Sequence, residues 1–262
     1  MSYITLNQYI DYSLEPPKKY FCNNEHNQIP VNIDSQLRKS IRPLYKHKYE
    51  NINVSVIQDI LQNNLIVNDA RLFYILKKCN LDCIKYFEEH HINFIKEYPI
   101  ISGKHNLFET QNCLFAFIEN NNYDVLEYIL NKYHDQININ QIIQKDKTPL
   151  LKAIIYNKID YIKLLLNFGA RYDMLFGDDK MNLLQYLLFL NNIDFVLPNE
   201  IPFKIDFVSY DTLKYIIEHM NFDVNYYNKK GENIIMSALN TKNDKLIQLI
   251  SDKYINKLQI CK

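Results

Sequence analysis

The sequence predicts an all-α protein, a solenoid of stacked helix–turn–helix hairpins with short turn or β-hairpin tips. Three observations lead to this class. One stretch of about thirty residues carries helix start and stop signals at its ends, the same order of signals returns along the chain, and 47% of the 262 residues are hydrophobic. A hairpin of that size cannot bury its own apolar face, so neighbouring copies must cover it.

The clearest hairpin reads DKTPLLKAIIYNKIDYIKLLLNFGARY and spans residues 146–172. We expect Thr148 to cap the first helix by accepting a backbone N–H group. Pro149 supports this start, because proline suits the first helical position. Asn157 lies in the polar turn YNK and tolerates a left-handed backbone. Gly169 is expected to end the second helix in a left-handed conformation. The stretch therefore predicts two short amphipathic helices joined by a tight turn.

Further copies with the same order of features occupy residues 70–91, 112–133 and 223–250. The triplets NIN, RYD and DVN begin at Asn138, Arg171 and Asp223 and mark the turn after a hairpin. The first two triplets lie 33 residues apart (138 to 171). With a fourth copy split between residues 181–192 and 211–222, about five hairpins are expected from residue 69 to residue 262.

Two regions depart from this regular spacing. The distance from Arg171 to Asp223 is 52 residues, which leaves 19 extra residues near 193–210. This insertion is either a binding loop or a loop that packs on its own array, and its many apolar residues favour packing. Residues 1–68 lack the repeat pattern. We expect an irregular segment there, followed by a degenerate capping repeat at VSVIQDILQNN.

Composition narrows the classes of partner and compartment. The formal net charge is zero and the lysines are interleaved with acids, which argues against a nucleic-acid or membrane-surface partner. The N-terminus lacks signal-peptide features, and the five cysteines show no disulfide spacing, so we expect a cytoplasmic monomer with reduced thiols. The abundance of Asn, Ile, Lys and Tyr indicates an AT-rich genome, such as that of a poxvirus, an anaerobic fungus or a protist.

No residue pattern predicts catalysis, a metal or a cofactor. Cys79, Cys83, His90 and His91 lie close in sequence but lack the paired spacing of a structural zinc site, so we interpret the thiols as buried or incidental. The four glycines form no phosphate-binding loop or nucleophile elbow. The pair Glu88-Glu89 is interpreted as a solvated helix end, Asp178-Asp179 as a turn tip, and aromatic residues such as Phe115, Phe117 and Tyr128 as core. A small metal-dependent module within residues 1–68 remains the alternative from another class.

The turn tips are the candidate binding residues, because tips and inner helices of stacked hairpins form one extended concave surface. Three tips are expected at residues 144–147, 176–180 and 226–230. The third combines two tyrosines with two lysines, a composition typical of interfaces. The partner-binding candidates are Lys145, Asp146, Lys147, Asp178, Asp179, Tyr226, Tyr227, Lys229 and Lys230.

The repeated unit resembles the ankyrin-repeat family over roughly Asp69 to Tyr254. KTPLLKA from Lys147 is similar to the family's TPLHxA, with Leu151 in place of histidine. DVNYYNKKGENIIMSA from Asp223 is similar to its DVNxxDxxGxTPLHxA, without the Thr-Pro-Leu. The resemblance implies a non-enzymatic scaffold or adaptor that binds another protein through its concave face and tips. An inhibitor of host signalling of the viral type, acting by the same binding mode, is the alternative.

Overall fold

A computed structural model describes residues 52–62, 69–99, 110–143, 146–192, 194–195, 203–204 and 208–258. These residues belong to one compact unit that runs from Tyr49 to Lys262. The irregular stretch predicted before Tyr49 lies outside the described residues, and so does most of the insertion near 193–210. The predicted boundary at residue 68 therefore stays a prediction.

The described part of the chain is mostly helical. Its α-helices are α1 (Val54–Gln62), α2 (Asp69–Leu76), α3 (Leu81–Glu89), α4 (Cys113–Glu119), α5 (Tyr123–Tyr133), α6 (Pro149–Ile155), α7 (Ile159–Asn167), α8 (Leu183–Leu190), α9 (Tyr210–His219), α10 (Ile234–Asn240) and α11 (Asp244–Tyr254). Two short antiparallel pairs accompany them, β1 (Glu97–Pro99) with β2 (Thr110–Asn112), and β3 (Asp194–Phe195) with β4 (Phe203–Lys204). Among the helices described, none has both the length and the apolar character needed to cross a membrane.

From α2 onwards the helices alternate between the first and the second member of a hairpin. First helices pack on first helices, α2 with α4, α4 with α6, and α8 with α10. Second helices pack in the same way, α3 with α5, α5 with α7, and α9 with α11, and α1 extends this layer by contacting α3. Two layers of short helices therefore share the core, as a helix–turn–helix repeat requires.

The cap signals read from the clearest hairpin act as predicted. Thr148 Oγ1 accepts a hydrogen bond from the backbone N–H of Leu151 at 3.1 Å, and Pro149 is the first residue of α6. Asn157 has a φ of 56° and Gly169 a φ of +86°. A Cβ built on Gly169 meets nothing within 4 Å, so the backbone conformation, and not crowding, favours glycine there.

Asparagine starts most of the other helices. In α8 the side chain of Asn182 accepts from the Gln185 backbone N–H, and the Gln185 side chain accepts from the Asn182 backbone N–H, which completes a capping box. Asparagine accepts the first N–H groups of a helix as well as threonine does. This explains how the hairpins without Thr-Pro keep their first turns. The asparagine N-caps are Asn80, Asn112, Asn122, Asn182, Asn233 and Asn243.

The insertion leaves the fourth hairpin intact, because one buried side chain closes it. Asn191 follows α8, and its Oδ1 accepts from the backbone N–H of Val208 at 3.0 Å. Its Nδ2 donates to the Val208 carbonyl at 2.8 Å. The chain therefore leaves and re-enters the array at one point, and α8 contacts α9 despite the extra residues. Whether the rest of the insertion packs on the array stays a prediction.

The last described hairpin exposes apolar side chains that its predecessors bury. Met236 lies three residues after the N-cap of α10, where Leu151 is buried on α6. Leu239 lies six residues after that N-cap, where Ile154 is buried. First helix α4, whose corresponding residues Phe115 and Ile118 are also buried, is covered by the next first helix, α6. In the part of the chain that the structure describes, no hairpin follows α11, so the same face of α10 is open to solvent.

Candidate functional site

Three tips, at residues 142–147, 175–181 and 226–232, come just before the first helices α6, α8 and α10 in the chain, and each is closed by backbone pairing. In tip 1, Ile143 and Lys147 exchange two backbone hydrogen bonds of 2.9 and 2.8 Å. In tip 2, Phe176 and Met181 do the same at 2.9 and 2.7 Å. In tip 3, the Asn228 N–H donates to the Glu232 carbonyl at 3.0 Å. The tips are therefore small closed turns.

Neighbouring tips are also bonded to one another. The Asp146 carboxylate in tip 1 accepts from the Gly177 backbone N–H in tip 2 at 3.0 Å. Between tips 2 and 3, the Lys229 backbone N–H donates to the Asp179 carbonyl at 2.8 Å, and the Lys230 ammonium pairs with the Asp179 carboxylate at 2.6 Å. The Tyr226 hydroxyl donates to a backbone carbonyl of tip 2. These contacts join the three tips into a continuous edge.

A row of apolar side chains, the tip row, lies at the same place in each tip. Ile142, Leu175 and Tyr227 are the fifth residues counted from the starts of the three turn triplets, and they are 50%, 45% and 53% exposed. The residue after each one is buried. Such alternation is expected of extended backbone, whose successive side chains point to opposite faces. The fold therefore presents three apolar side chains in register.

The predicted binding residues divide into two groups. Asp178, Tyr227 and Lys229 have exposed side chains, and so does Lys230, although it is ion-paired. Asp146, Asp179, Tyr226 and Lys230 hold the tips together, and Lys147 closes tip 1 through its backbone. Lys145 lies outside the described residues. A direct role in binding stays a prediction for the whole set. Ile142 and Leu175 were missed, although aligning the turn triplets would have found them.

A small cleft connects tip 3 with the first helices. It is lined by Gln185 and Phe189 of α8, Asn240 of α10, and Lys230 and Glu232 of tip 3. Gln185 donates a hydrogen bond to the Glu232 carbonyl at 2.6 Å, and the Lys230 ammonium lies 5.7 Å from the centre of the Phe189 ring. Because both of these contacts involve tip 3, they orient this tip against the helices.

A second feature, the lysine cluster, lies at the ends of the first helices. It consists of Lys77, Lys152 and Lys158 around Glu119, and three hairpins contribute to it. The Glu119 carboxylate forms ion pairs with Lys77 and Lys152, while the Lys158 ammonium donates to the carbonyl of Ile118. Burial lowers the pKa of Lys158 to about 8; the charge of Glu119 opposes this effect and the like charge of Lys152 adds to it.

The second helices carry a different cluster, which corrects one expectation from the sequence. Glu89 is exposed, but Glu88 is not a solvated helix end. Its carboxylate accepts hydrogen bonds from the Tyr128 hydroxyl at 2.8 Å, the Lys132 ammonium at 2.7 Å and the Tyr133 hydroxyl at 2.6 Å. Tyr128 is accordingly half-buried with its hydroxyl bonded, whereas Phe115 and Phe117 lie in the core as predicted. These bonds join α3 to α5.

Glu88 makes stability depend on pH in acid. Burial alone would raise its pKa, but the bonds from Lys132, Tyr133 and Tyr128 outweigh burial and hold the pKa below its usual value of 4.5. A lowered pKa means that the stabilisation is complete above about pH 4.5 and is lost as the pH falls through the folded-state value. We expect Glu88→Gln to lower the free energy of unfolding by about 1–2 kcal/mol at pH 7 and by much less at pH 3.

Urea unfolding at pH 7, 5, 4 and 3 measures this difference. The matched control is Glu89→Gln on the exposed side of α3, which we expect to change the free energy of unfolding by less than about 0.5 kcal/mol at each pH. A Glu88→Gln effect of the same size at pH 3 and pH 7 would show that the carboxylate charge does not carry the stabilisation.

The described cysteines are buried thiols. Cys83 donates to the carbonyl of Ile52 at 3.1 Å, and burial raises the pKa of the Cys113 thiol to about 12. His90 stacks on Tyr86 with ring centres 3.8 Å apart. Within the described ranges, no group of three or more His, Cys, Asp or Glu side chains is arranged to hold a metal ion.

Comparison with known proteins finds similarity to one family of repeats. A family model described as ankyrin repeats matches residues 72–175 in three copies. This range begins within α2, continues through the hairpins α4–α5 and α6–α7, and ends at the first residue of tip 2. An uncharacterized protein of Acanthamoeba polyphaga mimivirus is 27% identical over 169 residues. The match covers 61% of this chain and 44% of the relative, so the chain spans less than half of that protein's length.

Proposed function

From the ankyrin repeats that form residues 72–175, we propose that this chain is a non-enzymatic scaffold that binds another protein. In this proposal the hairpins form a solenoid, and the partner lies along the edge made by tips 1 to 3 and the first helices beside them. The repeats supply a surface and no chemistry. The family's general role in protein–protein interaction supports this function.

The tip row is the observation that carries the proposal. Apolar area in contact with water is unfavourable. Three apolar side chains that are about half exposed at one repeated position therefore favour a partner that covers them. Ile142, Leu175 and Tyr227 come from three different hairpins. A partner that covers all three would bury apolar area from each, and tyrosine is one of the residue types enriched among interface hot spots.

The bonds between tips support the same proposal through entropy. A binding surface that is ordered before the partner arrives loses little conformational freedom on association. Asp146 and Asp179 fix tips 1 and 2, and the backbone N–H of Lys229 fixes tip 3. The tip row is therefore presented in one arrangement.

A triple variant tests the proposed surface. We expect Ile142→Ser, Leu175→Ser and Tyr227→Ser together to reduce partner capture at least tenfold, because about 1.4 kcal/mol of lost contact energy already weakens binding tenfold. Proximity labelling with the full chain in amoeba cells gives the readout, with circular dichroism as the check of folding. The matched control is Ile255→Ser, which alters an exposed isoleucine after α11, outside the three tips.

The outcome distinguishes a loss of partner binding from a loss of folding. Reproducible partners that the control keeps and the triple variant loses support the proposal. If the wild type yields no reproducible protein, or if the triple variant retains all of its partners while folded, the tip row is not a binding surface.

A second candidate concerns whose protein is bound. The similarity to a mimivirus protein favours a viral role, in which the chain acts in the cytoplasm of a host cell and inhibits a host signalling protein by the same binding mode. Partners that belong to the host cell and lose activity when bound would support this candidate. Partners encoded only by the virus would contradict it.

A further inference from the structure

The two junctions between neighbouring tips join equivalent positions. Counting from the first residue of each turn triplet, the ninth residue of one tip accepts a hydrogen bond from the backbone N–H of the seventh residue of the next. Gly177 donates to the Asp146 carboxylate at 3.0 Å, and Lys229 donates to the Asp179 carbonyl at 2.8 Å. The step from tip 1 to tip 2 therefore corresponds to the step from tip 2 to tip 3.

The size of this step follows from the helices behind the tips. Tips 2 and 3 lead into α8 and α10, which pack on each other. The axes of packed helices lie about 8–10 Å apart, so neighbouring members of the tip row are separated by about the same distance. Ile142, Leu175 and Tyr227 then form a row about 16–20 Å long, with one apolar side chain in the middle and one at each end.

An α-helix matches this spacing. It rises about 1.5 Å per residue, so seven residues, or nearly two turns, bring a side chain back to almost the same face about 10.5 Å further on. Side chains at positions i, i+7 and i+14 therefore meet the three members of the tip row. An extended strand does not match, because its side chains return to one face after about 6.6 Å and again after about 13.2 Å, on either side of the step.

A polyproline II helix also has a suitable spacing, because it brings every third residue to one face about 9.3 Å further on. Its recognition depends on grooves lined by aromatic side chains. Two of the three members of the tip row, Ile142 and Leu175, are aliphatic, and aliphatic side chains suit the apolar stripe of an amphipathic helix. The composition of the tip row therefore favours a helix over a proline-rich segment.

The exposed charge of tip 3 adds a requirement on the partner. Lys229 is exposed two residues after Tyr227, while the neighbouring Lys230 pairs with Asp179 at 2.6 Å. The Glu232 carboxylate of the same tip accepts hydrogen bonds from two asparagine side chains. An acidic residue of the partner beside its contact with Tyr227 complements the charge of Lys229.

We propose that the tip row binds an amphipathic helix of the partner, with apolar residues at positions i, i+7 and i+14 and an acidic residue next to the one that contacts Tyr227. This inference rests on the proposed function, because it specifies the partner of the same surface. The helix lies along the row, and its apolar stripe covers Ile142, Leu175 and Tyr227. Its polar face stays in water.

Selection from a phage-displayed library of random peptides, each about 20 residues long, tests this pattern without the natural partner. The full chain is the bait. Peptides count only if they bind the wild type and the Ile255→Ser variant but not the folded triple variant of the tip row. We expect most of them to have apolar residues seven apart, with an acidic residue beside the first or the last, and to become helical when bound, as circular dichroism measures.

Variants of the best peptide and of the chain make the result specific, with affinities measured by calorimetry. Moving the middle apolar residue of the peptide by two positions turns it to another face and should weaken binding at least tenfold. Leu175→Met keeps an apolar side chain and should bind the original peptide almost as the wild type does. Lys229→Glu should weaken binding about fivefold, whereas Lys214→Glu, the same charge change at an exposed lysine of α9, should have less than about a twofold effect.

Failure of this inference can be told from failure of the proposed function. Selected peptides that depend on the tip row but alternate apolar and polar residues would assign an extended strand, and apolar residues three apart in a proline-rich series would assign polyproline II. If no peptide depends on the tip row while capture of the cellular partners does, a helix is overturned and the scaffold function stands. If the folded triple variant keeps all of its cellular partners, the proposed function fails and this inference fails with it.

Discussion

Replacing Ile154 by alanine is expected to lower the free energy of unfolding by about 3 kcal/mol. The side chain is 0% exposed in α6, which packs on both α4 and α7. Alanine removes buried methyl and methylene groups, and the close-packed neighbours relax only partly into the space. Urea unfolding followed by far-UV circular dichroism measures the change.

The matched control for this substitution lies in the last described hairpin. Leu239 is at the same distance from its N-cap as Ile154 but is 55% exposed. Leu239→Ala should therefore change the free energy of unfolding by less than about 0.5 kcal/mol. Equal losses in the two variants would contradict the fold, because they would mean that the open face of α10 is covered in solution.

Glu119→Gln is expected to destabilise the chain by about 3 kcal/mol, because removing one partner of a buried ion pair leaves the other charges uncompensated. The Glu119 side chain is 11% exposed and holds ammonium groups from two neighbouring hairpins. Glutamine keeps the shape and a carbonyl acceptor but not the charge. The loss therefore reports the electrostatic contribution, measured by the same urea unfolding at pH 7.

A compensating variant separates charge from packing. Glu119→Gln combined with Lys77→Met and Lys152→Met removes both paired cations and keeps their apolar stems. We expect this triple variant to be more stable than Glu119→Gln alone, since apolar residues of similar volume often replace a buried ion pair without loss. A loss below about 0.5 kcal/mol in Glu119→Gln would show that the pairs behave like exposed ones.

The sequence was sufficient where the structure depends on local contacts. Thr148, Pro149, Asn157 and Gly169 act within a few residues of their own positions, so their chemistry shows which backbone conformation each one favours. Apolar spacing identified the first and second helices for the same reason. The repeat made these local signals decisive, because each hairpin requires a neighbour.

Contacts between hairpins were not predictable in this way. Glu88 meets Tyr128 and Lys132 across 40 and 44 residues, and Glu119 meets Lys152 across 33. Glu88 next to Glu89 reads as a solvated helix end until the neighbouring hairpin is in place. The lysines that pair with Glu119 likewise look scattered in the sequence, because only the stacking of repeats brings them together. Charge pairs between hairpins require the register of the array as well as its period.

The tip row lies between these two cases. Its members are 33 and 52 residues apart in sequence, and the irregular second interval conceals their common position. Counting from each turn triplet recovers the position, whereas composition draws attention to the tyrosines and lysines of tip 3 alone. Asp146 and Asp179 were predicted as binding candidates because they lie in the tips, yet their carboxylates hold the neighbouring tips.

The bonds between tips have a consequence for how this protein can change over generations. The frame of the tips depends on backbone groups and on Asp146 and Asp179, while the tip row is made of side chains that point away from that frame. Under the proposed function, substitutions at Ile142, Leu175 and Tyr227 alter what is recognised without disturbing how the chain folds. If the proposed partner changes over generations, the three positions of the tip row can change with it. The bonds that hold the tips together can stay the same.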